Sequence, residues 1–115
     1  MFVDLSKMKI FIKPGPTDGR KQINGLSVIV QEEMKLNPLG EGLFMFCNKR
    51  RNRLKIIYWD KTGFCLWLKR LEVDKFPWPQ NREDALEIDR EKLAMLLAGI
   101  DFWKAHKELK FSKIN

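Results

Sequence analysis

Histidine and cysteine are nearly absent from this sequence, and each shortage excludes a kind of chemistry. Among 115 residues there is one histidine, His106, and there are two cysteines, Cys47 and Cys65, with no CxxC pair. A four-ligand zinc site built on that set would need carboxylates as well, so no structural metal is expected. His106 stands in the lysine-rich C-terminal stretch, and no serine or cysteine gains a base from it. Long apolar runs are missing too. The longest, Leu93 to Ala98, falls far short of the ~20 residues of a membrane span. Met1 to Asp4 carry no basic n-region and no long apolar h-region follows, so no secretory leader is expected. These absences suggest a cytoplasmic chain without membrane contact, whose thiols stay reduced.

Acid is the scarcer charge. Asp and Glu number 15 against 22 Lys and Arg, a formal net charge of +7. An excess of this size favours polyanionic partners, nucleic acid foremost. Asp18, Asp60, Glu72, Asp74 and Asp101 are scattered singly, with no DxD pair to hold the metals of a nuclease. With 44% hydrophobic and 11% aromatic residues the chain has the material for a core. Its length fits a single domain over 1–115.

Periodicity supplies the elements. Met8–Ile12 alternates like a short strand and is stopped by Pro14-Gly15-Pro16. Ile23, Leu26, Ile29, Val30 and Met34 fall at helical spacing, with Thr17 or Asp18 as the expected cap. Leu43–Cys47 is continuously apolar, which predicts a strand covered on both faces. Arg53–Trp59 and Phe64–Leu71 alternate, and the short links between these runs predict an antiparallel meander. Gly63 is the residue expected to take a positive φ in the turn after Asp60. Ala85–Ile88 reads as a short edge strand. Asp89 is expected to cap a helix through Leu97, and Gly99 to stop it. The expected fold class is α+β: an antiparallel β-meander of three to five strands packed with two main helices, followed by a basic tail over 102–115.

Three stretches invite a functional reading. Lys49-Arg50-Arg51-Asn52-Arg53-Leu54-Lys55 holds five cations and no acid. On a hairpin tip and the strand after it, such groups suit phosphate contact, although cationic tips also serve solubility alone. Lys69-Arg70 on the next strand extends the patch. Tyr58, Trp59 and Trp67 lie near it and suggest base stacking, but aromatics in alternating strands more often fill a core. Gly15-Pro16-Thr17-Asp18-Gly19-Arg20-Lys21 has the strand–turn–helix setting of an anion site, with Arg20 and Lys21 as its cations. As a nucleotide loop it fails, because Arg20 takes the lysine place and Lys21 takes the place of the hydroxyl that would hold magnesium. A turn in which Asp18 bonds backbone or an arginine is the favoured reading. Phe76–Trp78 is the candidate exposed apolar patch for a protein partner.

In their order, these segments also resemble a known family. Gly15-Pro16-Thr17-Asp18-Gly19-Arg20-Lys21 with Gly25-Leu26 opens the match. Leu43-Phe44-Met45-Phe46 with Asn48-Lys49-Arg50 continues it, as do Leu54–Asp60 and Gly63–Glu72. Phe76-Pro77-Trp78-Pro79 and Leu93–Asp101 complete it. Together they resemble the TnpB accessory proteins, the second open reading frame, of the insertion-sequence-sixty-six transposons, which are distinct from the RNA-guided nucleases of the same name. The resemblance covers a core of about 9–101, with Gly19 where methionine is usual and Leu68 where an aromatic is common. It implies a non-catalytic helper of bacterial transposition, with DNA and the element's own transposase as partners. It supplies no catalytic residue and no cofactor. Two expectations follow. The first is a protein that contacts DNA, or a transposase–DNA complex, through Lys49, Arg50, Arg51, Arg53 and Lys55, with Lys69, Arg70, Arg20 and Lys21 as secondary contacts. The second is a transposase adaptor without direct DNA affinity.

Overall fold

The computed structural model describes residues 8–40, 42–80 and 85–99. Within them the chain forms β1 (Lys9–Ile12), α1 (Ile23–Glu32), β2 (Gly42–Cys47), β3 (Arg53–Asp60), β4 (Gly63–Arg70), β5 (Leu86–Ile88) and α2 (Arg90–Leu97). The strands make one five-stranded sheet in the order β4-β3-β2-β1-β5. The expected meander is present as β2, β3 and β4, joined antiparallel, and β5 is antiparallel to β1. One pairing differs from an all-antiparallel sheet. β1 runs parallel to β2, with Ile10 opposite Leu43 and Ile12 opposite Met45. The reason is α1: a tight turn reverses a strand, whereas a crossover through a helix returns it in the same direction.

The central strand β2 shows how the sequence fills both sides. Leu43, Met45 and Cys47 point to one face, Phe44 and Phe46 to the other, and all six residues of the strand are buried. α1 covers Phe44, Phe46 and Ile57 with Leu26, Ile29 and Val30, and Met34 joins them beyond the helix end. The opposite face carries Ile10, Ile12, Leu54 and Ile56 beneath Leu93 and Leu96 of α2. Phe76 and Trp78 complete that second core. They are 0% and 4% exposed, and the Trp78 indole Nε1 donates to the Lys13 carbonyl at 3.0 Å. The expected apolar patch at Phe76–Trp78 is therefore corrected: flanking prolines stop the chain from becoming a strand, and the rings turn inward against α2.

Capping follows the sequence at one helix and departs from it at the other. Asp89 accepts from the Lys92 amide at 2.8 Å at the start of α2, and Gly99 sits at φ 80° just past its end. α1 begins only at Ile23, and its cap residue Gln22 makes no side-chain capping bond. Asp18 is occupied instead, its Oδ1 accepting from the Arg20 amide at 2.9 Å. In the β3–β4 turn the left-handed residue is Lys61, at φ 49°, and not Gly63. The tail over 102–115 lies outside the described residues.

Candidate nucleic-acid interface

Two basic segments far apart in sequence are delivered to one end of the sheet. Beyond β1 the chain keeps running beside β2, the Lys13 amide donating to the Met45 carbonyl at 2.9 Å and the Thr17 amide to the Cys47 carbonyl at 2.8 Å. These bonds carry Thr17–Lys21 alongside the β2–β3 turn. Gly15 stands at φ 76° in this passage, a conformation suited to a residue without Cβ. Its amide donates to the Pro79 carbonyl at 2.8 Å, which fixes the passage from its other flank.

Asn48 builds the turn itself. Its Oδ1 accepts from the amides of Asn52 and Arg53, both at 3.0 Å, and its Nδ2 donates to Asn52 Oδ1 at 2.8 Å. Arg51 occupies the left-handed position at φ 60°, and its carbonyl accepts from the Phe76 amide at 2.7 Å. The Asn52 carbonyl accepts from the Leu71 amide, also at 2.7 Å. The cations of this turn therefore project from a backbone tied down on several sides.

Between turn and loop lies an open cavity of about 530 Å³, with Pro16–Gly19 on one wall and Asn48, Lys49, Arg50, Asn52 and Arg53 on the other. The walls are close: a Cβ placed on Gly19 would meet Asn48 Cβ at 3.7 Å, ordinary contact, so a side chain at that position would line the groove. Lys49, Arg50 and Arg53 are exposed, and none forms an ion pair with another described residue.

The remaining sequence candidates are placed differently. Lys55, only 8% exposed, lies beneath the loop, its Nζ donating to the Gly19 carbonyl at 2.8 Å and the Lys21 carbonyl at 2.6 Å. Burial lowers its pKa, with nearby Arg53 acting in the same direction. Arg20 is at the groove mouth but grips Asp18, Nη2 to Oδ2 at 2.9 Å. The Arg20 hydrogen bonds hold the Asp18 carboxyl down to about 2, and the same pair raises Arg20. Lys21 is exposed beside it. Arg70 is the cross-strand partner of Arg53 and pairs with Glu72 at 2.9 Å. Lys69 projects to the opposite face, where its Nζ donates to the Leu97 carbonyl at 2.9 Å at the end of α2. The half-buried Arg51 contributes its backbone to the turn and does not line the cavity.

Tyr58, Trp59 and Trp67 form no shared stacking surface. Tyr58 is buried and its hydroxyl pKa is raised by desolvation. Trp67 packs on the same core, while Trp59, on the other face, meets Phe64 edge-on at 5.1 Å. Asn48 and Asn52 are the contributors that the sequence reading missed. Their only signal is an asparagine on each side of the basic triplet, where side-chain amides organise turns. Cys47 is buried, and desolvation pushes its thiol up to about 12. Among the described residues no three His, Cys, Asp or Glu side chains converge as metal ligands, and no helix is long and apolar enough to cross a membrane.

Comparison with known proteins gives matches along most of the chain. A family model described as IS66 Orf2 like protein matches residues 8–107. The uncharacterized protein y4hO of Sinorhizobium fredii (strain NBRC 101917 / NGR234) is 40% identical over 101 residues, 88% of this chain and 87% of its own. The uncharacterized protein y4jC of the same organism is 34% identical over 101 residues, 88% of this chain and 86% of its own. No solved structure matches.

Proposed function

Since the chain belongs to the IS66 Orf2 like family, we propose that it assists transposition without catalysing it, by holding DNA in the groove between the Pro16–Gly19 loop and the Asn48–Arg53 turn. The observation that carries this reading is the open cavity between loop and turn, into which the turn alone brings cations, Lys49, Arg50 and Arg53, none with a carboxylate partner among the described residues. A braced turn spares the backbone part of the ordering cost of binding, and its unpaired guanidinium groups can meet phosphate oxygens without first breaking an ion pair. Contacts of this kind read the backbone and not the base sequence. Arg20, Lys21 and Arg70 flank the groove and add to its field, two of them partly neutralised by their own carboxylate partners.

The test is fluorescence anisotropy with single-stranded, duplex and hairpin DNA over a salt series, wild type beside Arg50→Ala/Arg53→Ala. Wild-type affinity is expected to fall by roughly 0.9 log unit per log unit of salt for each phosphate neutralised, and the variant's slope to be shallower by about 2. No binding at low salt would overturn the reading and leave the transposase as the direct partner.

A further inference from the structure

β4 is an open edge of unusual character. It forms one side of the sheet, and no described residue pairs with its outer edge. The Leu71 amide bond to the Asn52 carbonyl sets the phase of the β3–β4 ladder. By alternation, Phe64, Leu66, Leu68 and Arg70 aim their backbone N–H and C=O groups outward. Strand edges are normally guarded by charge, proline or shortness. The opposite edge, β5, has only three residues. β4 has eight, and from Gly63 to Leu68 it carries no charge and no proline. Leu68 is 55% exposed.

We propose that β4 pairs antiparallel with β4 of a second copy of this chain, joining two sheets across a two-fold axis at Leu66. The sequence complements itself in this register. Phe64 falls opposite Leu68 of the second copy, Leu66 opposite Leu66, and Cys65 opposite Trp67. Apolar side chains thus meet on both faces. Lys69 falls opposite Gly63, Arg70 opposite Thr62 and Lys61 opposite Leu71, so no cation faces another. The cationic end of each strand instead approaches the turn that bears Asp60, the cross-strand partner of Gly63. A foreign strand would have to supply this pattern from outside, whereas a second copy brings it. The +7 charge on each chain opposes association, so the pairing belongs to moderate salt, where charges beyond ~8 Å are screened.

Sedimentation of the full chain at high micromolar concentration and physiological salt tests the proposal. The expected mass is twice the 13.7 kDa of one chain, falling to one chain in Leu68→Pro. That substitution removes an outward N–H and leaves the β3–β4 ladder intact, as circular dichroism should verify. A wild-type monomer overturns the proposal, as does a dimer that survives in folded Leu68→Pro. Should that variant not fold, wild-type hydrogen exchange decides. Protection at Phe64, Leu66, Leu68 and Arg70 that grows with protein concentration supports the pairing. Protection independent of concentration means that the edge is open or covered within one chain, and overturns it.

Discussion

The ammonium nitrogen of Lys55 lies 2.6 Å from the carbonyl oxygen of Lys21 and 2.8 Å from that of Gly19, so a lysine in mid-strand anchors the loop that forms one wall of the groove. A buried ammonium is costly unless its donors are used. Here two are, and the loop gains a fixed height above the sheet.

Lys55→Met keeps the apolar stem and removes those donors. Two carbonyls lose their charged partner, and stability should fall by about 2 kcal/mol in urea denaturation. Amide exchange at Gly19 and Lys21 should quicken. The salt slope of DNA binding should stay unchanged, because Lys55 supports the groove wall and is not exposed on it. A slope lowered by about 1 would show direct phosphate contact instead.

Asp18 and Arg20 make a second, opposing arrangement at the groove mouth. The folded pKa of Asp18, about 2, is below its ordinary 3.8. A depressed carboxyl contributes stability above the unfolded value and loses it as pH falls through the folded one. The pair is exposed, so solvent screening keeps this contribution small. By NMR titration the Asp18 midpoint should stand near 2 and move towards 3.8 in Arg20→Ala. Asp18→Asn should free Arg20, tighten DNA binding and steepen its salt slope by about 1. Weaker binding in Asp18→Asn would mean that the carboxylate positions Arg20 for phosphate.

Much of this was legible in the chain. The meander, the doubly covered β2 and the Asp89 cap follow from period, run length and one side-chain oxygen, all local signals. The parallel β1–β2 pair was not, because β1 is four residues long and its direction depends on where α1 returns the chain. Both basic segments of the site were visible as segments. Their meeting was not, since it rests on backbone bonds from Lys13 and Thr17 to β2 carbonyls, which no side-chain pattern records. Lys55 illustrates the limit most sharply: in sequence it is one more cation of a basic run, and in the fold it faces a neighbouring loop.

Phe76 was equally hard to place from sequence, and its burial makes a simple prediction. The ring is fully buried among Leu54, Ile56, Trp78 and Leu96, so Phe76→Ala should cost about 3–5 kcal/mol in denaturant unfolding. A loss within about 0.5 kcal/mol would place the ring at the surface.

Arg53 and Lys69 offer the most direct separation of groove from scaffold, because consecutive strands place them on opposite faces of one sheet. Arg53 is exposed and lines the groove. Lys69 caps a helix end through the Leu97 carbonyl, where a cation also meets the negative end of the helix dipole. Arg53→Ala should therefore leave unfolding free energy within about 0.5 kcal/mol of wild type while lowering the DNA salt slope by about 1. Lys69→Met should do the reverse, lowering stability by about 1–2 kcal/mol with DNA affinity unchanged at matched salt. If both variants weaken DNA binding equally, the protein's net charge governs the interaction and the groove has no special part in it.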